Sequence, residues 1–184
     1  MGVRAAARMM PALDPVTAES VLAAVGIGSN LDDPEAQARS ALRALESLPE
    51  SRLVAASSLY RNPPLGPQDQ PDYINAVALL ETRLSPHALL DALQGVERAH
   101  HRVRGRRWGP RTLDLDLLTF GSACISDARL IVPHPGLALR AFVVFPLAEI
   151  APELEIPGLP TPARLQERMN EAGIVRLTQH ASST

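Results

Sequence analysis

The sequence predicts an α+β fold, a ferredoxin-like sandwich with a mainly antiparallel sheet and helices packed on one face. Its apolar patterns follow the order strand, helix, strand, strand, helix, strand, which is the order of that fold. Asp33-Pro34 and Ser85-Pro86 mark helix starts, because a capping side chain precedes a proline at the first helical position. Residues 113–118 alternate leucine with aspartate, which predicts a strand with two chemically different faces.

The other elements follow in chain order. A Val- and Ala-rich run at 21–27 predicts a central strand, and further strands are predicted at 53–60 and 72–82. The second helix is expected to bury Leu89, Leu90, Leu93 and Val96, with Gln94 and Glu97 on a neighbouring face. A hairpin arm at 124–125 and a short helix at 136–142, ended before Pro146, come next. A last helix is predicted from Thr161 to about Ala172.

Length and composition predict a single domain at 20–172, with a disordered extension at 1–19 and a tail at 173–184. A chain of 184 residues with 46% apolar and 21% charged residues is ordinary for a globular protein. The net charge of -2 argues against a general nucleic-acid binder, and no apolar run is long enough to span a membrane. We expect a cytoplasmic monomer, and the lone Cys124 excludes an internal disulfide.

The chemistry concentrates around the Asp-Leu-Asp strand. Asp114 and Asp116 point the same way, with Cα atoms about 6.6 Å apart, so their carboxylates suit one or two hard cations. Six arginines precede them within fourteen residues, namely Arg98, Arg102, Arg104, Arg106, Arg107 and Arg111. Such a pairing is what a magnesium-polyphosphate site requires. On spacing alone, a solvated sheet face explains the two aspartates equally well, and an arginine run is usually a solvated loop. All eighteen basic residues are arginine, which weakens any argument from the use of arginine over lysine.

Other candidates have ordinary alternatives. Tyr73 and Asn75 share one strand face, and an aromatic ring beside an amide suits a flat heterocycle, although an edge-of-core tyrosine is also consistent. His134, between two prolines, could donate to a phosphate or be a plain loop histidine. Gly28 and Asn30 could lie near a ligand or only form a turn. The proline-rich loop at 62–71 is partly pre-shaped.

Four strings occur in order: GIGSNL at 26–31, PPLGPQDQPDYINA at 63–76, RWGPRTLDLDLL at 107–118 and LIVPHP at 130–135. Together they resemble the signature of the 6-hydroxymethyl-7,8-dihydropterin pyrophosphokinases of folate biosynthesis, over residues 21–154. The resemblance implies transfer of pyrophosphate from ATP to the pterin, with two Mg²⁺ ions on Asp114 and Asp116 and no nucleic-acid or membrane partner.

The resemblance also implies roles for individual residues. The catalytic set is Arg102, Arg111, Asp114 and Asp116. The ATP-binding set is Arg102, Arg104, Arg107, Arg111, Arg129, His134 and Arg140, with Arg104 and Arg107 in a lid. The pterin-binding set is Gly28, Asn62, Pro64, Leu65, Tyr73, Asn75, Trp108 and Phe142.

This sequence departs from the family pattern at three positions, and two other function classes compete. Asn62 stands where some members have threonine, Gly105 lies in a lid one residue shorter, and Pro135 replaces an aromatic residue; these bear on lid closure and ATP contacts.

A different Mg-dependent nucleotidyltransferase would bind nucleotide without pterin dependence. An RNA-binding module would need stacked aromatics on its exposed strands, where this chain has two aspartates.

Overall fold

The computed structural model describes residues 19–101 and 109–177. The strands are β1 (Val21–Ser29), β2 (Ser51–Ala56), β3 (Leu59–Asn62), β4 (Tyr73–Thr82), β5 (Asp114–Phe120), β6 (Ile125–Ser126), β7 (Ile131–Val132) and β8 (Val175–Leu177). The helices are α1 (Pro34–Glu46), α2 (Pro86–Ala99), α3 (Ala141–Ile150) and α4 (Pro162–Gln166), with a 3₁₀ turn at Leu137–Leu139. Nearly all of the predicted extension, together with the predicted lid, lies outside the described residues.

The main sheet confirms the predicted fold class, because every strand pair in it is antiparallel. Its order is β5-β1-β4-β3-β8, and β2 also pairs with β4. The strands β6 and β7 form a separate hairpin, as expected from the predicted arm. Since β1 lies between β4 and β5, residues of β1 have neighbours on both sides.

Both predicted helix starts are confirmed. The Asp33 side chain accepts a hydrogen bond from the Ala36 N–H at 3.2 Å, and the Ser85 hydroxyl accepts one from the Ala88 N–H at the same distance. Each cap satisfies a backbone donor that has no partner within its helix.

The helices cover both faces of the sheet, so the expectation that they share one face is wrong. Helices α1 and α2 contribute Leu45 and Leu93 to a core that includes Val25 of β1 and, from β5, Leu115 and Leu117. Helix α3 packs on the opposite face, where Val144 and Leu147 join Val77 of β4. This second layer leaves one end of that face open.

The helix predicted at 136–142 is a 3₁₀ turn at Leu137–Leu139 followed by only the first two residues of α3. Helix α3 then continues through Pro146, where the prediction had no helix. Apart from Glu149 the helix is apolar, and residues 143–148 are buried. A helix with so few polar residues shows no amphipathic period, so the sequence pattern did not reveal its length. Packing on the sheet outweighs the single backbone hydrogen bond that a proline removes.

Two further boundaries differ from the prediction. The strand predicted at 53–60 is interrupted at Ser57, whose Oγ accepts from the Val77 N–H at 2.9 Å while its own N–H donates to the Val77 carbonyl. The last helix ends at Gln166, and β8 then pairs with β3 inside the segment expected to be a tail. A strand of three residues carries too little pattern to predict.

None of the helices in residues 19–101 and 109–177 has the length and apolar content needed to cross a bilayer.

Candidate active site

Two glycines of β1 form the floor of a trough at the open end of the sheet. Gly28 is paired with Asp114 on one side and with Asn75 on the other, while Gly26 is paired with Asp116 and Val77. Because glycine has no side chain, the aspartates and the amide stand on either side of a trough. A Cβ atom at Gly28 would lie only 3.0 Å from Asn75 Oδ1, which is tighter than ordinary packing. Gly28 is therefore part of a strand and of the cavity floor, not a turn residue.

The trough opens into a cavity of about 490 Å³. This volume falls within the range of small-molecule sites. Of the residues predicted as ligands, those that line it are Gly28, Asn62, Leu65, Tyr73, Asn75, Arg111, Asp114, Asp116, His134, Arg140 and Phe142. The chain brings them together from β1, β3, β4, β5, the start of α3 and three loops.

Two other predicted ligands do not line the cavity, and four lie outside the described residues. Arg129 pairs with Asp91 of α2 and does not line the cavity, so its placement lends no support to a role in binding ATP. Pro64 is buried beside the cavity and does not line it. Arg102, Arg104, Arg107 and Trp108 lie outside the described residues.

We define the carboxylate wall as Asp114, Asp116, Arg111, Arg140 and His134. Both aspartates are on one face of β5, as the alternation predicted, and Arg111 forms an ion pair with Asp114. Arg140 Nη1 is 4.0 Å from Asp116 Oδ2. Two cationic side chains thus lie against two carboxylates at the edge of the cavity.

Burial and then the neighbouring Asp114 carboxylate raise the pKa of Asp116, and the nearby His134, Arg140 and Arg111 oppose this less strongly. The Asp116 side chain remains 40% exposed because it opens into the cavity. Like charges held at close range in this way repel each other, and a cation between them relieves the repulsion. The wall is therefore chemically suited to a cation.

The hydrogen bonds of His134 determine which of its two ring nitrogens can act as a donor. Its backbone N–H donates to the Leu118 carbonyl at 2.8 Å, and its Nδ1 accepts from the Gly136 N–H at 3.0 Å. A neutral ring that accepts at Nδ1 carries its proton on Nε2. Burial lowers the pKa of His134, and the charge of Asp116 opposes that shift. His134 can therefore offer an N–H donor to the cavity without carrying a positive charge.

We define the amide wall as Asn62, Asn75 and Tyr73. Asn75 Nδ2 donates to Asn62 Oδ1 at 2.5 Å, and Asn62 Nδ2 donates to the Pro63 carbonyl at 2.9 Å. Both amides are only 5% exposed. The Tyr73 hydroxyl donates to the Gly109 carbonyl at 2.9 Å, and burial raises the pKa of Tyr73. The orientation of each side chain is thus fixed within the protein itself.

One charged residue that lines the cavity was not predicted from the sequence. Glu97 of α2 is buried, lines the cavity and accepts a hydrogen bond at 2.7 Å from the backbone N–H of Leu115. Leu115 lies between the two aspartates on an edge strand, so Glu97 helps to hold the Asp-Leu-Asp segment. The signal was available, because Glu97 follows Leu93 by four residues and so continues the apolar stripe.

Asn30 has a structural role. Its Oδ1 accepts from the Arg111 N–H at 2.8 Å, and its Nδ2 donates to the Pro71 carbonyl at 3.0 Å and to Gln70 Oε1 at 3.1 Å. Asn30 is 1% exposed. It therefore links the end of β1 to the proline-rich loop and to the segment that carries Arg111.

Within residues 19–101 and 109–177, no three His, Cys, Asp or Glu side chains are grouped so that they could hold a metal ion. The two aspartates of the carboxylate wall would thus need further ligands from a bound molecule. Magnesium is commonly held in this way, by one or two carboxylates and the phosphates of a substrate.

The fold and cavity together define an α+β protein with a small-molecule site between a carboxylate wall and an amide wall. Residues 24–152 match the family model described as 7,8-dihydro-6-hydroxymethylpterin-pyrophosphokinase (HPPK). The chain therefore belongs to the HPPK family.

Relatives named 2-amino-4-hydroxy-6-hydroxymethyldihydropteridine pyrophosphokinase are similar over most of their length. The protein from Pseudomonas aeruginosa is 56% identical over 133 residues, which cover 72% of this chain and 82% of the relative. That from Haemophilus influenzae is 46% identical over 157 residues, covering 85% and 98%. A solved structure of wild-type Plasmodium falciparum HPPK-DHPS with pterin and p-hydroxybenzoate has a TM-score of 0.64 at 12% identity, over 84% of this chain and 44% of that one. That likeness concerns the fold alone.

Proposed function

We propose that the protein transfers the β,γ-pyrophosphoryl group of ATP to 6-hydroxymethyl-7,8-dihydropterin in folate biosynthesis. The hydroxymethyl oxygen forms a bond to the β-phosphorus, the bond between that phosphorus and the α,β-bridging oxygen breaks, AMP leaves, and the hydroxyl proton is released. One observation carries the proposal beside the family membership: a single cavity joins a wall suited to phosphate and cations with a wall suited to a flat heterocycle.

The carboxylate wall fits Mg²⁺, because it presents hard oxygen donors whose mutual repulsion a cation would relieve. Asp114 and Asp116 would hold two ions, which supply charge neutralisation and polarise the reacting phosphate when bound. Side chains of the protein interact with the remaining phosphate charge. Arg111 and Arg140 balance that charge, and His134 donates a hydrogen bond from Nε2. Arg102 is assigned to the same catalytic set, and Arg104 and Arg107 to a lid, on the family pattern alone.

The amide wall would bind the pterin. Tyr73 and Phe142 supply aromatic faces for stacking, and Asn75 supplies an amide for the heterocycle's polar edge. Asn62 orients Asn75, while Gly28 and Leu65 line the pocket. Trp108 is assigned to pterin binding on the family pattern alone. Phosphoryl transfer depends mainly on positioning and charge neutralisation, so this division of labour requires no dedicated protein base.

The two competing function classes are less consistent with this cavity. A nucleotidyltransferase without pterin dependence gives no reason for a buried pair of oriented amides opposite the carboxylates. An RNA-binding sheet would place two carboxylates against a phosphate chain. The working form is expected to be a monomer.

AMP release from Mg-ATP tests the proposal directly. Wild-type protein should release AMP only when 6-hydroxymethyl-7,8-dihydropterin is present, and Asp116→Ala should abolish that release. Nucleotide binding without pterin-dependent AMP would reject the proposal in favour of a nucleotidyltransferase.

A further inference from the structure

A second polar cluster lies on the same face of the sheet as the cavity, further along α3. The Glu149 carboxylate accepts hydrogen bonds from the Ser58 hydroxyl at 2.8 Å, from the Tyr60 hydroxyl at 2.8 Å and from the Ser58 backbone N–H at 3.1 Å. Arg176 of β8 completes the cluster with an ion pair to Glu149 at 2.7 Å and a hydrogen bond to Ser58 Oγ at 2.9 Å. We call these four residues the brace.

The brace is built for a carboxylate. Every partner of Glu149 in it offers an N–H or O–H donor, and the backbone N–H and the guanidinium cannot act as acceptors. Its hydrogen bonds from Ser58 and Tyr60 and the charge of Arg176 hold the pKa of Glu149 below its usual value, although burial alone would raise it. Burial and the same hydrogen bond raise the pKa of Tyr60 to about 12.

Both elements joined by the brace continue to the cavity. Along β3, Tyr60 in the brace is followed two residues later by Asn62 of the amide wall, and Tyr60 itself is paired with Asn75. Along α3, Phe142 lies seven residues before Glu149, which is about 10 Å along the helix axis. Over that length, a tilt of α3 by about 6° at the brace would move Phe142 by about 1 Å relative to the amide wall.

Resting on the proposed function, we propose that Glu149 is a positioning residue for the pterin site: by bracing α3 against β3, it sets the separation between Phe142 and the Asn62–Asn75 pair. Glu149 does not line the cavity and acts only through these residues. Loss of the brace should weaken binding of the pterin more than binding of ATP. The ATP side is built mainly on β5 and its loops, and of its described residues Arg140 adjoins α3, as the N-cap of that helix.

Glu149→Gln tests this, because the new amide would direct an N–H₂ group at donors. We expect the KM for the dihydropterin to rise about tenfold, since a misplacement of about 1 Å is costly, with the KM for ATP within about twofold. Tyr60→Phe removes one donor without creating a clash and should shift the same KM about threefold. The matched control is Glu81→Gln, which breaks an arginine pair with Arg52 near the other end of β4.

Melting temperature and direct binding of 6-hydroxymethylpterin are measured on every variant. If Glu149→Gln fails to fold, Tyr60→Phe and its pterin affinity decide the outcome. An unchanged dihydropterin KM in both variants, or equal rises in both KM values, would overturn the inference and leave a merely stabilising cluster. Wild-type protein that neither binds the pterin nor releases AMP would instead overturn the proposed function, and the inference with it.

Discussion

The carboxylate wall and the amide wall face the same cavity, but their polar groups are satisfied in different ways. In the amide wall, Asn75 is held by Asn62, and Asn62 by the Pro63 carbonyl. In the carboxylate wall, burial and then the neighbouring Asp114 raise the pKa of Asp116. One wall is thus oriented by the protein alone, whereas the other retains a repulsion that a bound cation would remove. The difference suggests that pterin recognition is largely preformed and that the phosphate side is completed by its ligand.

The largest effect should come from removing one carboxylate of the proposed metal site. Asp116→Asn keeps the shape of the side chain but should lower kcat by about a thousandfold, because charge neutralisation is the main demand of phosphoryl transfer. The KM for the dihydropterin should change less than about threefold. Steady-state AMP release measures both, and Asp91→Asn, an exposed aspartate paired with Arg129, is the control. Near-normal kcat in Asp116→Asn would contradict the role of this wall.

The opposite result is expected for the amide wall. Asn75→Ala removes the donor to Asn62 and the group assigned to the pterin edge, which should cost about 2 kcal/mol, or about thirtyfold in the KM for the dihydropterin. The KM for ATP serves as the internal control and should stay within about twofold. Equal changes in the two KM values would show that the walls do not act separately.

The glycine floor allows a finer comparison. Gly28→Ala would place a Cβ atom 3.0 Å from Asn75 Oδ1, whereas Gly26→Ala would meet Leu118 at 3.4 Å, which is less severe. We expect the KM for the dihydropterin to rise about tenfold in Gly28→Ala and less than about threefold in Gly26→Ala. Side-by-side kinetics check the order, and the reverse order would argue that Gly28 does not protect the amide.

The smallest effect concerns how the amide wall is supported. The pKa of Glu149 is held below its reference value of 4.5. The stability it contributes is therefore present above that value and is lost as the pH falls through the folded-state pKa. Glu149→Gln should melt about 3 °C below wild type at pH 7, and the gap should narrow below about pH 4. Thermal melts across pH 3–7 test this; a gap that stays constant would mean the charge of Glu149 is not involved.

Local patterns predicted much of this molecule. Alternation with period two placed Asp114 and Asp116 on one face, and the caps at Asp33 and Ser85 gave the two helix starts. Their physical causes lie within a few residues of each other, so a sequence shows them directly. The family strings then indicated most of the residues that line the cavity.

Contacts between distant segments were not predictable in this way. Glu149 and Ser58 are 91 residues apart, and neither is unusual in its own segment. Most of helix α3 was not predicted, because its nearly continuous apolar run has no amphipathic period and a proline usually ends a helix. The burial of Glu97 could have been suspected from its place on the apolar stripe of α2. Its partner could not, because the Leu115 N–H is available to a side chain only where β5 is the edge strand of the sheet.

The most direct test of the difference between the walls is calorimetric titration of 6-hydroxymethylpterin into the protein in EDTA, without nucleotide. A preformed amide wall predicts measurable binding whose affinity is the same within about threefold in wild type and Asp116→Asn. Pterin binding that appears only after magnesium and a non-hydrolysable ATP analogue are added would contradict a preformed amide wall, because that wall too would then be completed only by bound ligands.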